Sequence, residues 1–141
     1  NGGLGQNNTT TSSSPIQVGT SSWTAVAASD GTGAAIRLDG GLFTWGLNNA
    51  GQLGQNDVTA RSSPVQLGTS TWSQLSAMGW EASGIKTNGT LWSWGYGGFG
   101  ALGLNSSVNV STPTQVGALT NWKQVSGTIN HKMAITYKDL G

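Results

Sequence analysis

Asp39-Gly40-Gly41-Leu42-Phe43-Thr44-Trp45-Gly46-Leu47-Asn48-Asn49-Ala50-Gly51-Gln52-Leu53-Gly54 is the stretch that decides the fold, because it comes back. Leu42-Phe43-Thr44-Trp45-Gly46 returns 49 positions later as Leu91-Trp92-Ser93-Trp94-Gly95. Leu4-Gly5, Leu53-Gly54 and Leu102-Gly103 keep the same step, and so do Pro15, Pro64 and Pro113. Trp23, Trp72 and Trp122 follow at spacings of 49 and 50. Chance does not hold four markers in phase. A period of this size marks supersecondary units that stack on one another. The units run approximately over 1–49, 50–98 and 99–141, as one repeat domain.

Each unit reads as short strands. Pro-x-Gln-Val/Leu opens it, at 15–18, 64–67 and 113–116. A Trp-led run follows: Trp23 to Ser29, Trp72 to Met78, Trp122 to Gly127. Then come an apolar run such as Ala34-Ala35-Ile36-Arg37-Leu38 and a turn at Asp39-Gly40 or Asn88-Gly89. Those dipeptides predict a type I′ hairpin turn. The Leu-x-x-Trp-Gly strand completes the unit. No stretch shows a 3.6-residue period, so almost no helix is predicted. About four antiparallel strands per roughly 50 residues predict an all-β chain of β-propeller blades.

Composition excludes several function classes. Only 8% of the 141 residues are charged, and the net charge is +1. So weak a field gives little pull on phosphates, and a dedicated nucleic-acid binder is not expected. There is no Cys, hence no disulfide and no thiolate metal site. No apolar run is long enough for membrane insertion. Seven Trp argue against disorder. Residue 1 is in phase with residue 50, and residue 141 with about residue 42. The expectation is part of a longer array, whose open sheet edges need covering by further repeats or a neighbouring subunit.

The quoted stretch, followed by Pro64-Val65-Gln66-Leu67, resembles the regulator-of-chromosome-condensation repeat. Asn88 to Gly103 with Pro113-Thr114-Gln115-Val116 is similar, with Gly98-Phe99-Gly100-Ala101-Leu102-Gly103 at the loop. The resemblance implies a seven-bladed β-propeller. Some members of that family are guanine-nucleotide exchange factors for small GTPases, and others are interaction modules. The family pattern carries a His a few residues before the inner-strand Ala-Leu. Here those positions hold Thr32, Glu81 and His131, so the third alone fits.

Chemistry-bearing constellations are scarce. Gly95-Tyr96-Gly97-Gly98-Phe99-Gly100 matches a dinucleotide-binding glycine pattern, but no helix start follows to aim amides at a pyrophosphate. It reads as turns permitted by glycine. His131 is the one histidine, without metal-ligand partners or a nucleophile-elbow motif. No catalytic residue, cofactor or metal is therefore assigned. Trp23, Trp45, Trp72, Trp92, Trp94 and Trp122 recur in phase or fill an aromatic slot, and read as blade core. Trp80 stands alone, in the slot of Gly31 and Asn130. It fits a ligand or partner contact, although filling a gap between blades is the commoner fate. Glu81 beside it, and Asp57 and Arg61 in the polar loop 55–63, complete the candidate contacts.

These residues predict a non-enzymatic binding module that recognises a protein or surface through loops on a rigid scaffold. Neutral Asn/Ser/Thr/Gln character suits an outward-facing setting: secreted, cell-surface, or a virion fibre-like part. Family resemblance makes nucleotide exchange on a GTPase the alternative, and Trp80 with the polar loops makes carbohydrate binding another.

Overall fold

The computed structural model describes residues 2–128 and 131–136. Nine strands follow one another: β1 (Trp23–Ser29), β2 (Thr32–Arg37), β3 (Gly41–Gly46), β4 (Arg61–Met78), β5 (Glu81–Lys86), β6 (Leu91–Gly95), β7 (Val110–Gln115), β8 (Trp122–Thr128) and β9 (His131–Thr136). Strands β1 to β7 pair in chain order, and β8 pairs with β9. Every pair is antiparallel. A single 3-10 turn, Gly98–Gly100, is the one helical element among the described residues. The all-β expectation therefore holds.

The first half of β4 pairs with β3, through Thr44↔Val65 and Phe43↔Gln66. Its second half pairs with β5, through Leu75↔Gly84 and Ala77↔Ala82. Gly68, at φ +60°, turns the strand between the two. One blade is thus β1, β2, β3 and the start of β4. The next is the end of β4 with β5, β6 and β7. Four strands per blade match the prediction. The Pro-x-Gln-Leu and Trp-led segments of the second unit, read as separate pieces, are continuous in this one strand.

Two local expectations are corrected. The segment 15–18 is not a strand. Its counterparts, in β4 and β7, lie against the Trp-Gly strand of the unit before, and among the described residues 2–14 there is no such strand for it to pair with. The hairpin turns are also not type I′, which needs positive φ at both central residues. Gly40 N–H closes onto Arg37 O at 2.8 Å, and Gly89 N–H onto Lys86 O at 2.9 Å. Positive φ falls on Gly40 and Gly89, not on Asp39 or Asn88. Each loop is a three-residue turn with glycine in the left-handed position. The Asp39 and Asn88 carboxyl and amide oxygens accept the N–H two residues on, from Gly41 and Thr90. That local bond is what selects Asp and Asn there.

The core lies between blades. Ala34, Ile36, Leu42 and Leu67 of the first blade pack with Trp72, Ala82 and Trp94 of the second. Trp94 is fully buried; it meets Trp72 edge-to-face at 5.7 Å and donates its indole N–H to Gln52 O at 3.0 Å. Trp45 repeats the bond one unit earlier, onto Gly3 O at 3.0 Å. Its ring lies so close over Gly33 that no Cβ fits there. A second cluster, Ile85, Leu91 and Val125 with Val116, Trp122 and Ala134, joins the second blade to β8 and β9. A basic residue caps each blade's aromatic slot: Arg37 over Phe43 at 4.7 Å, and Lys86 over Trp92 at 3.7 Å.

Lys132 is an exception within this core. It sits one repeat after Ala82 and donates to Ala82 O at 3.1 Å. Burial lowers its pKa to about 8, against the opposing pull of the Glu81 charge. Charging it in the folded state is therefore costly.

Two predictions arise from these contacts. Trp94→Ala opens a cavity between blades and should cost about 3–5 kcal/mol in chemical denaturation. The folded-state pKa of Lys132 lies below the unfolded value, so the unfolded chain holds more protons between pH 8 and 10.5. Stability should rise with pH through that window, by up to about 3 kcal/mol. In Lys132→Met that rise should vanish, and the variant should be the more stable protein at pH 7. Melts of both proteins from pH 7 to 10.5 read the difference.

Candidate functional site

The antiparallel meander gathers particular residues on one face. Strand β3 ends where β2 begins, since Gly46 pairs with Thr32. The β1–β2 turn at Asp30-Gly31 therefore lies beside the loop leaving β3, and Leu47 N–H donates to Gly31 O at 3.0 Å. The second blade repeats this: Gly95 pairs with Glu81, and Tyr96 N–H donates to Trp80 O at 2.8 Å. Thr32 Oγ1 donates to Gly79 O at 3.2 Å and ties the two blades' turns together. The face thus carries the turns at 30–31 and 79–80 and the loops 47–60 and 96–109.

Trp80 stands on this face with 53% of its surface exposed. It fills no gap between blades, which corrects the commoner expectation. A turn position at the end of a hairpin, with a Gly slot in the neighbouring blade, offers no pocket to bury it. Tyr96 holds it instead, edge-to-face at 6.3 Å with planes at 73°. Tyr96 in turn folds over Gly98, where a Cβ would collide with the phenol ring. Phe99 follows at φ +56° and is 85% exposed. Left-handed backbone is uncommon for a bulky residue and costs on the order of 1–3 kcal/mol. Sequence reasoning missed Tyr96 and Phe99 as candidates, because the glycines around them read only as turns. Their slots in the preceding unit, Leu47 and Ala50, were the available signal.

The other candidates separate from this cluster. Asp57 and Arg61 pair with each other at 2.6 Å and shape their own loop. Asn48, fully buried, donates to Asp57 O, Asp57 Oδ1 and Thr59 O, and accepts from Leu53 N–H. The Thr59 N–H and the Arg61 guanidinium hold the Asp57 carboxyl below its usual pKa. Both residues thus act as loop scaffolding. Glu81 follows Trp80 but is buried, 3% exposed, beneath the face. The side chain of His131 and residues 137–141, which include Asp139, lie outside the described residues. The glycine-rich stretch 95–100 forms a three-residue turn rather than a helix that could receive a phosphate. Among the described residues no three His, Asp or Glu group into a possible metal site, and no helix is long and apolar enough to cross a membrane.

Solved structures share this architecture. The crystal structure of human WBSCR16 superposes with a TM-score of 0.76 at 16% identity, over 89% of this chain and 34% of that one. Prp20p from Saccharomyces cerevisiae, described with its binding properties to Gsp1p and histones, gives 0.70 at 17%, over 88% of this chain and 33% of that one. Yeast RCC1 (Prp20) with bound Kap60 gives 0.72 at 19%, over 88% of this chain and 32% of that one. The chain spans about a third of the length of each. No curated protein sequence matches it. The regulator of chromosome condensation (RCC1) repeat matches residues 39–83 and 88–135, and a second profile of the same repeat matches 23–52. Trp-Gly strands seated between four-stranded blades, with those matches over most of its length, make this chain a member of the RCC1 repeat family.

Proposed function

We propose that the chain is a non-enzymatic protein-recognition module, with Trp80, Tyr96 and Phe99 as its contact anchors. The observation that carries this reading is Trp80, an indole half in solvent yet oriented by a buttressing tyrosine. Ordering a free aromatic side chain on binding costs entropy, and one already held in place avoids most of that cost. Trp and Tyr are also the residues most enriched where interfaces concentrate their energy. Phe99 adds an exposed ring on strained backbone, an arrangement that folding alone does not favour. Val58 and Val108, both exposed on the neighbouring loops, extend the apolar character of the face. Solved relatives are described with protein partners: Prp20p with Gsp1p and histones, and Prp20 with Kap60. The near-neutral, amide- and hydroxyl-rich composition supports an outward-facing setting for such a module.

Trp80→Ala and Phe99→Gly separate binding from folding. Trp80→Ala should change stability by less than about 0.5 kcal/mol. Phe99→Gly should raise it by roughly 1 kcal/mol, because glycine accepts the left-handed position. Each should weaken binding to a partner captured from source cells and then purified by roughly 30-fold or more in calorimetry. Leu38→Ala, on the opposite face, is the control and should bind as the parent does. Full affinity in the Trp80→Ala/Phe99→Gly double variant would overturn the assignment.

A further inference from the structure

The second blade repeats the first with two acceptors removed. In the first blade Arg37 lies over Phe43 at 4.7 Å and also pairs with the Asp39 carboxylate at 2.6 Å. Trp23 there donates its indole N–H to Val18 O at 3.3 Å. One repeat later Lys86 lies over Trp92 at 3.7 Å and beside the Trp72 ring at 5.3 Å, but Asn88 stands in the slot of Asp39. Among the described residues Lys86 makes no ion pair. Trp72 is 3% exposed, and its indole N–H has no hydrogen-bond partner. A buried donor without an acceptor is costly.

Both groups line one cavity of 370 Å³, at the end of β5 away from Trp80. Gln55, Asn56, Ser70 and Trp92 are also in its wall, which holds no Asp or Glu. Its size suits a small ligand. The unopposed ammonium calls for an anion, and Arg37 shows that one cation in this slot can hold a ring and a carboxylate together. The neutral groups narrow the class. Gln55 spends its amide N–H groups on Thr44 Oγ1 and Val65 O, each at 3.2 Å, which leaves its carbonyl oxygen as an acceptor. Asn56 and Ser70 each offer a donor and an acceptor. Ligand hydroxyls, which both donate and accept, match that set. The hydrocarbon side chain of an acidic peptide would leave it unused.

We propose that this cavity binds a small hydroxylated carboxylate of the uronic-acid type, its carboxylate between the Lys86 ammonium and the Trp72 indole N–H and its hydroxyls on Gln55, Asn56 and Ser70. Such a ligand does for the second blade what Asp39 and Val18 O do for the first. Partial burial lowers the pKa of Lys86, and a bound carboxylate raises it again. The site is independent of the Trp80 face.

The test is an NMR titration of the ¹⁵N-labelled 141-residue chain with D-glucuronate, D-glucose and N-acetylglutamate. Glucuronate should bind saturably and shift the amides of Asn56, Ser70 and Lys86 and the indole N–H of Trp72. The Lys86 pKa, followed on its side-chain carbons, should rise on binding. Glucose has the hydroxyls without the carboxylate, and N-acetylglutamate has carboxylates without the hydroxyls. Each should bind roughly tenfold or more weakly. Those comparisons change only the ligand, so the folding of the chain is not at issue. Lys86→Met should weaken glucuronate binding by a similar factor. No saturation with glucuronate, equal affinity for glucose or for N-acetylglutamate, unchanged affinity in Lys86→Met, or shifts confined to the Trp80 face would overturn the proposal.

Discussion

An indole wedged between consecutive blades is the contact on which the rest of this structure depends. A single four-stranded blade has two faces and cannot bury both by itself, so its stability comes from its neighbours. Trp94 makes that neighbour contact twice over. Its ring is fully buried against the first blade, and its N–H satisfies Gln52 O in the loop before β4. The ring sets severe limits around it. The equivalent Trp45 leaves room only for glycine at position 33, and the Leu-Gly loops are held by hydroxyls of the Trp-Gly strands. Much of the repeat's sequence is the consequence of seating that one side chain.

With the scaffold so constrained, variation is pushed to one face. The slots that hold Gly31, Leu47 and Asn48 in the first unit hold Trp80, Tyr96 and Gly97 in the second. The first unit uses its slots for structure: Asn48 knots the loop through Asp57 and Thr59. The second unit lacks that Asn, and Asn109 accepts the Gly97 N–H instead. Its loop is consequently free to present Tyr96 and Phe99. Two loops in the same frame thus differ in structure: one is closed on itself, and the other leaves aromatic side chains exposed or half-exposed.

The strands, the four-strand blade and the buried Trp45, Trp72 and Trp94 were legible in the sequence because each is enforced by the period; Trp23, Trp92 and Trp122, also read as core, are half-buried. Features that depend on a single copy were less legible. Asp39-Gly40 read as a type I′ turn, but the register of β2 and β3 leaves three residues in the loop, and the aspartate is used for its local bond. Asp57 and Arg61 read as contacts because their polar loop lies where rigid scaffolds commonly place recognition. Only the fold shows that they pair with each other, with Asn48 bonded to Asp57 beside them. Nothing local marks Lys132, since the carbonyl it bonds, Ala82 O, lies 50 residues away.

The sequence by itself determined the unit, its length, its strand order and its core. Those follow from local alternation, turn residues and a repeat, all of which are properties of short segments in phase. Tertiary structure alone decided which exceptions matter. Whether Trp80 filled a gap or faced solvent depended on where the neighbouring blade's turn lies, and that position is set by stacking. Whether Lys132 was an ordinary surface lysine or a largely buried one bonded to Ala82 O depended on the same stacking. Exposure is a relation between segments far apart in the chain, and no local pattern encodes it.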